Sequence, residues 1–269
     1  MKLTILADNN TYIDCYLFGE PGLSFYIEDG DERILFDTGY SDVFMRNAEL
    51  IGIDLSKTTK IVISHGHVDH TGGLVPFIEK YGDRGIALYG HTKVFTKKIN
   101  DGKETGSPIR KEEVAKYFDL KLCDGPAKIT DDLVFLGQIP ETFDFEARVP
   151  IGERVIGGIT AADYNIDDSA MAFIAKEGLF IITGCSHAGI CNIIEYAKRI
   201  TGIDKVIGVI GGFHLFEDDS RLASTVDYFI KNDVAYLHPC HCVSLYARAA
   251  ILRRMPITET GAGMSISVE

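Results

Sequence analysis

The chain is short of positive charge. Lys and Arg number 27 against 39 Asp and Glu, a formal net charge of −12. That balance argues against a nucleic-acid binder relying on a general basic surface. It leaves two local pairs, Lys97-Lys98 and Arg253-Arg254, either of which could equally receive a phosphorylated small molecule. No apolar run approaches the roughly 20 residues needed to span a bilayer. Met1–Asp8 reads as a strand, without the apolar stretch and cleavage site of a secretory signal, so a cytoplasmic location is expected. Six cysteines in 269 residues show no paired spacing, so reduced thiols are expected instead of a disulfide framework. Neither a G-x-S-x-G elbow nor a P-loop is present to supply catalysis. Histidine is scarce too, eight in all, which makes its placement informative.

Three of those eight fall within six positions of Ser64-His65-Gly66-His67-Val68-Asp69-His70-Thr71-Gly72-Gly73, directly after the strand-like run Lys60–Ile63. Imidazole nitrogen and carboxylate oxygen suit zinc and related divalent ions. On a tight loop alternate residues project the same way, so His65 and His67 can grip one ion. Asp69 and His70 can then hold a second a few ångströms away. The competing reading is a polar surface loop, which a lone histidine would favour and this density does not.

The remaining pattern is that of an α/β protein. Leu23–Ile27 and Glu32–Phe36 flank the turn Asp29-Gly30-Asp31 as a hairpin. Phe44, Ala48 and Ile51 share one face of a helix over 41–51. A helix near 73–81 and a strand over 86–89 follow the histidine loop. Residues 92–160 include a polar stretch rich in turn formers, long enough for an insertion or lid over the site, or a plain solvated loop. Alternation then returns: a hairpin over 170–175 and 179–183, helices over 188–200, 219–231 and 244–253, and strands over 205–210, 234–237 and 265–268. No Pro/Gly/Ser linker divides the two halves, so one domain over 1–269 is expected.

H-x-H-x-D-H-x-G-G, together with Ile34-Leu35-Phe36-Asp37-Thr38-Gly39 upstream, resembles the signature of the metallo-β-lactamase superfamily. The resemblance covers nearly the whole chain and implies a four-layer αββα sandwich, where periodicity alone would permit other α/β folds. It also implies a binuclear site with ligands beyond the first loop. His187, between a strand and a helix, is expected as third ligand of the His65/His67 ion, with capping of that helix as its alternative role. His241, in Pro239-Cys240-His241-Cys242, is expected on the second ion beside Asp69 and His70; His238, still in the strand, is read as structural. Many members carry T-G-D where this chain has Thr183-Gly184-Cys185. Cys185 is therefore either a thiolate ligand or an ordinary buried residue, and the second ion could be labile. Asp37 is expected behind a ligating imidazole, fixing its tautomer.

His214, after an apolar strand and two glycines, reads as a substrate-facing residue or proton donor, or else as a core histidine. His91 is a further candidate facing substrate. The chemistry expected is hydrolysis of a small molecule by metal-activated water, with Asp69 and His214 catalytic and two divalent ions, Zn before Fe or Mn, as cofactors. Within the superfamily, T-G-C-S-H-A-G-I, G-G-F-H-L, P-C-H-C and the acidic residues Asp163 and Asp167-Asp168 resemble one branch. That branch is related to 7,8-dihydropterin-6-methyl-4-(β-D-ribofuranosyl)aminobenzene-5′-phosphate synthase. The likeness implies a phosphorylated, pterin-like substrate and leaves a synthase or transferase reaction open. Ser169 and Val243-Ser244 depart from that branch near the expected substrate side. A diiron oxidoreductase would carry H-x-E-x-D-H in place of this histidine segment, and a non-catalytic metal sensor would not need so full a ligand set.

Overall fold

The computed structural model describes residues 1–82 and 85–269. A seven-stranded sheet runs, edge to edge, Ser265–Ser267, Lys2–Ala7, Ser24–Asp29, Glu32–Phe36, Lys60–Val62, Ile86–Gly90 and Phe118–Leu122. A six-stranded sheet runs Tyr236–Pro239, Val206–Gly211, Gly178–Thr183, Ala170–Ala175, Leu133–Phe135 and Ala127–Lys128. Side chains alternate across each strand. Phe25, Ile27, Ile34 and Phe36 of the first sheet therefore meet Phe135, Met171, Phe173, Phe180 and Ile182 of the second in one core between the sheets. Burying each such side chain contributes about 1.5–3 kcal/mol relative to exposure.

The opposite faces are covered by helices. Tyr26, Leu35 and Ile61 point outward onto Val43–Leu50 and Leu74–Tyr81, through Phe44, Ala48, Leu74 and Phe77. Leu179, Ile181, Val209 and Leu237 point onto Ile190–Thr201, Ser220–Lys231 and Leu245–Leu252. The layers are thus helix, sheet, sheet, helix, the αββα sandwich. Capping sharpens the last two helices: Asp219 accepts from Leu222 N at 2.9 Å and Ser244 Oγ from Ala247 N at 3.0 Å.

Residues 92–160 are shared among three sheets. Phe118–Leu122 joins the first and Leu133–Phe135 the second, while Lys97–Asn100 and Lys103–Glu104 pair with Glu153–Ile156 and Ile159–Ala162 in a separate four-stranded sheet. That small sheet sits against the histidine loop: Val68 N donates to Thr105 O at 2.9 Å, and His67 bridges to Gly106. Among the described residues no helix is long and apolar enough to cross a membrane.

Two parallel sets set up the site. Glu32–Phe36, Lys60–Val62 and Ile86–Gly90 run parallel in the first sheet, as do Gly178–Thr183, Val206–Gly211 and Tyr236–Pro239 in the second. Their carboxyl ends release the loops carrying Asp37, His65–His70, Cys185–His187, His214 and His241, where ligands collect in such sheets.

Candidate metal centre

His65, His67, Asp69, His70, Cys185, His187 and His241 converge. His65 Nε2 lies 3.0 Å from His67 Nδ1 and 3.2 Å from His187 Nε2. His70 Nε2 lies 3.2 Å from both Cys185 Sγ and His241 Nε2. Asp69 Oδ2 is 3.3 Å from His241 Nε2 and 3.7 Å from His70 Nε2. Cys185 belongs to two ligand groups at once, one with Asp69, His70 and His241 and the other with His65 and His187.

The outer nitrogens fix the tautomers. Asp37 is fully buried and accepts from Ser64 N and Ser64 Oγ, each at 2.7 Å, while its Oδ2 faces His70 Nδ1 at 2.7 Å. A carboxylate can only accept, so His70 carries its proton on Nδ1. Ser64 Oγ has given its proton to Asp37, so it accepts from His65 Nδ1 at 2.9 Å. Asn9 Oδ1 likewise accepts from His241 Nδ1 at 2.8 Å. Three imidazoles thus present bare Nε2 lone pairs inward, and those of His70 and His241 face each other with no proton between them. Such a pair calls for a cation between the two nitrogens, either a shared metal ion or a proton on His70, whose pKa the neighbouring carboxylates raise. The nitrogen, oxygen and sulfur donors are of the kind zinc and its neighbours take, so these residues fit a divalent cation.

Electrostatics agree. Burial, reinforced by neighbouring histidines, holds His65 and His187 well below the ordinary imidazole value. Burial, with Lys98 nearby, brings His67 down to about 4. For Asp69 burial pulls upward, but His70 and His241 outweigh it and hold the carboxylate well below its usual range. Burial and the adjoining Cys242 push the Cys185 thiol up, a cost that a bound cation would offset. Asp37, Ser186, His214 and His241 all have positive φ, 55°, 59°, 49° and 52°. Each costs on the order of 1 kcal/mol, a strain typical of functional sites.

A cleft of about 440 Å³ opens over the cluster, lined by His67, Asp69, Cys185, His187, His214 and His241 together with Asn9, Asn100, Ile151 and Phe216. His214 stands in its wall, its ring 4.5 Å from that of His187, and burial brings its pKa to about 4. His91 is placed elsewhere. It is fully buried and does not line the cleft; its Nδ1 accepts from Lys93 N at 3.1 Å and its Nε2 is 3.2 Å from Asp124. His238 stays in its strand, buried, as the sequence suggests.

The two basic pairs do not form anion sites at the cleft. Lys97 pairs with Glu104, Arg253 with Asp218 and Arg254 with Asp227. Lys98 is buried against Asp163 and Asp167. Among the described residues no lysine or arginine lines the cleft. The acidic segment before the Gly178–Thr183 strand is likewise buried: Asp163, Asp167 and Asp168 are each at most 2% exposed. Sequence reasoning missed Asp8 and Asn9. Asp8 Oδ1 accepts from His241 N at 2.7 Å. Their one signal is position, immediately after the first strand, Lys2–Ala7.

A model of the metallo-beta-lactamase superfamily matches residues 17–199, and the chain belongs to that superfamily. It is 31% identical over 262 residues to 7,8-dihydropterin-6-methyl-4-(beta-D-ribofuranosyl)-aminobenzene-5'-phosphate synthase of Methanocaldococcus jannaschii, covering 92% of this chain and 89% of that one. An uncharacterized protein of the same organism is 34% identical over 251 residues, covering 91% of each chain. A solved structure described as a metal-dependent hydrolase of the beta-lactamase superfamily superposes with a TM-score of 0.86 at 29% identity, covering 100% of this chain and 99% of that one. Hydrolase and synthase chemistries both occur among these relatives.

Proposed function

We propose that the chain is a hydrolase that binds two divalent ions, zinc before iron or manganese. His65, His67 and His187 hold one, Asp69, His70 and His241 the other, and Cys185 Sγ lies between them. The observation that carries this reading is the convergent set of bare Nε2 lone pairs on His65, His70 and His241, of which His241 lines the cleft and the other two lie buried beside it. A divalent cation in such a site supplies Lewis acidity and lowers the pKa of water towards neutrality.

The chain's own residues do the rest. Asp69 reaches into the cleft as a carboxylate and accepts a hydrogen bond from the attacking water, orienting it. His214 is uncharged at neutral pH and donates a hydrogen bond to the oxygen on which charge develops. Phe216 and Ile151 offer apolar wall, and Asn100 and Thr105 neutral hydrogen-bonding groups, to a small substrate with a flat organic part. With no cationic side chain in the lining, a substrate phosphate would lie at the metal end.

The synthase relative favours a second reading, a pterin-pathway synthase reaction on the same metal site, with a phosphorylated pterin-like compound as substrate. His67 stands where the H-x-E-x-D-H pattern of a diiron oxidoreductase has glutamate, which gives that third reading no support. Metal analysis of the purified protein, with assays on an activated ester, a phosphodiester and formation of the product named for the synthase relative, tests the proposal. Metal-dependent turnover of the ester or diester supports hydrolysis. Formation of that product alone would move the assignment to the synthase, and a protein binding no divalent ion would overturn both.

A further inference from the structure

The acidic segment that the catalytic proposal does not use holds together the two loops on either side of the first metal position. Asp167 Oδ2 accepts from Gly66 N at 2.8 Å, and Gly66 is the residue between His65 and His67. Asp168 Oδ2 accepts from Ala188 N at 2.9 Å, next to His187. Ser169 N donates to Ser64 O at 2.9 Å. Three consecutive residues thus grip the His65/His67 loop at two points and the His187 loop at a third, although those loops leave different sheets. There is no slack at Gly66: a Cβ there would lie 2.0 Å from Val94 O.

The segment is held in turn by Lys98. Its ammonium donates to Asp167 Oδ1 at 2.8 Å, Asp163 Oδ2 at 2.7 Å and Asn165 Oδ1 at 3.0 Å, with the lysine 2% exposed. A buried carboxylate without this partner would carry a large desolvation penalty. Lys98 belongs to the small sheet that also supplies Asn100 to the cleft wall. Substrate wall and metal loop therefore share one buried ion-pair cluster.

We propose that Asp167 and Asp168, anchored by Lys98, are positioning residues that set the separation between His65/His67 and His187, and so chiefly the affinity of the first site. Among the described residues no hydrogen bond ties this segment to His241, whose partners are Asp8 and Asn9. The inference rests on the metal reading above. Partners behind metal ligands commonly change affinity by about 10–100-fold when removed.

The test is chelator-driven zinc release from the loaded protein, followed with a chromophoric chelator, alongside melting temperatures of the loaded and metal-free forms. Asp167→Ala and Lys98→Met should release one ion at least about tenfold faster and change the other's rate much less, and the loaded form should lose more thermal stability than the metal-free form. If Asp167→Ala fails to fold, Asp167→Asn keeps the volume but has one acceptor oxygen for two donors, and should also release one ion faster. Wild-type release rates, equal acceleration of both ions, or equal loss of stability in both forms would overturn the proposal. Wild-type protein that takes up no zinc would instead overturn the metal reading on which it rests.

Discussion

Asp37 Oδ2 and His70 Nδ1 lie 2.7 Å apart with both side chains fully buried. That one contact decides which nitrogen of His70 faces the cluster. Burial by itself lowers the His70 pKa, but Asp69 and Asp37 outweigh it and raise the value above the ordinary one.

Asp37→Ala should therefore leave His70 free to take the other tautomer and remove the acceptor of two Ser64 hydrogen bonds. The expected loss is about 10–100-fold in affinity for the ion beside His70, with a stability cost of about 1–3 kcal/mol for the donors left unpaired. Isothermal titration with zinc and urea unfolding read the two effects. Unchanged affinity for both ions would show that another group fixes the tautomer.

What could be read in the sequence follows from how locally each feature is written. His65, His67, Asp69 and His70 share six positions after a strand, so density alone reveals them. The layers are legible because Tyr26 and Leu35 alternate with Phe25, Ile27, Ile34 and Phe36, period two with both faces apolar. His187 needed a strand-to-helix position as well as a likeness, and His241 needed the likeness. Asp8 and Asn9 stayed hidden because their role depends on a contact with a residue more than two hundred positions away. Lys98 looked like half of a surface basic pair; only the pairing of Lys97–Asn100 with Glu153–Ile156 turns it inward towards Asp163 and Asp167.

Cys185 should matter to both ions, because its sulfur belongs to both ligand groups. This differs from a role on the second ion only. Cys185→Ser should weaken both sites, and the cobalt-substituted wild type should show a thiolate charge-transfer band that the variant lacks. Cys185→Asp should recover binding in part, an oxygen replacing sulfur. A wild-type cobalt spectrum without that band would return Cys185 to the core.

The metal-free protein should lose stability as pH falls from about 6.5 towards 4. His67 and His214 fall to about 4 in the fold against 6.5 when free, and His65 and His187 also lie well below 6.5. In that window the unfolded chain binds more protons, so stability rises with pH, by up to about 1.4 kcal/mol per pH unit for each group. Asp168, pushed up to about 7 by burial, acts in the opposite sense, because its folded form keeps a proton between 3.8 and 7. Glu146, also raised by burial, acts with Asp168, but His91 and His238 are depressed as well, and six depressed histidines outweigh two raised carboxyls. Urea midpoints at several pH values with chelator present check this, and a midpoint that climbs on acidification would contradict it.

His214 separates two kinds of catalysis. With a pKa of about 4, imposed first by burial and then by Arg221, its imidazole is uncharged at pH 7 and is a poor source of a full proton. It remains a good hydrogen-bond donor, in a wall of the cleft beside His187. His214→Ala should keep its metal and its fold and lose on the order of a hundredfold in kcat. His214→Gln, which can still donate, should recover a substantial part of that loss, and neither variant should abolish the acidic limb of the pH–rate profile. A general acid would behave differently: glutamine would give no rescue, and a leaving group needing no proton would restore the alanine variant. Loss of metal in His214→Ala would make it a ligand and break the division of the site into two ions.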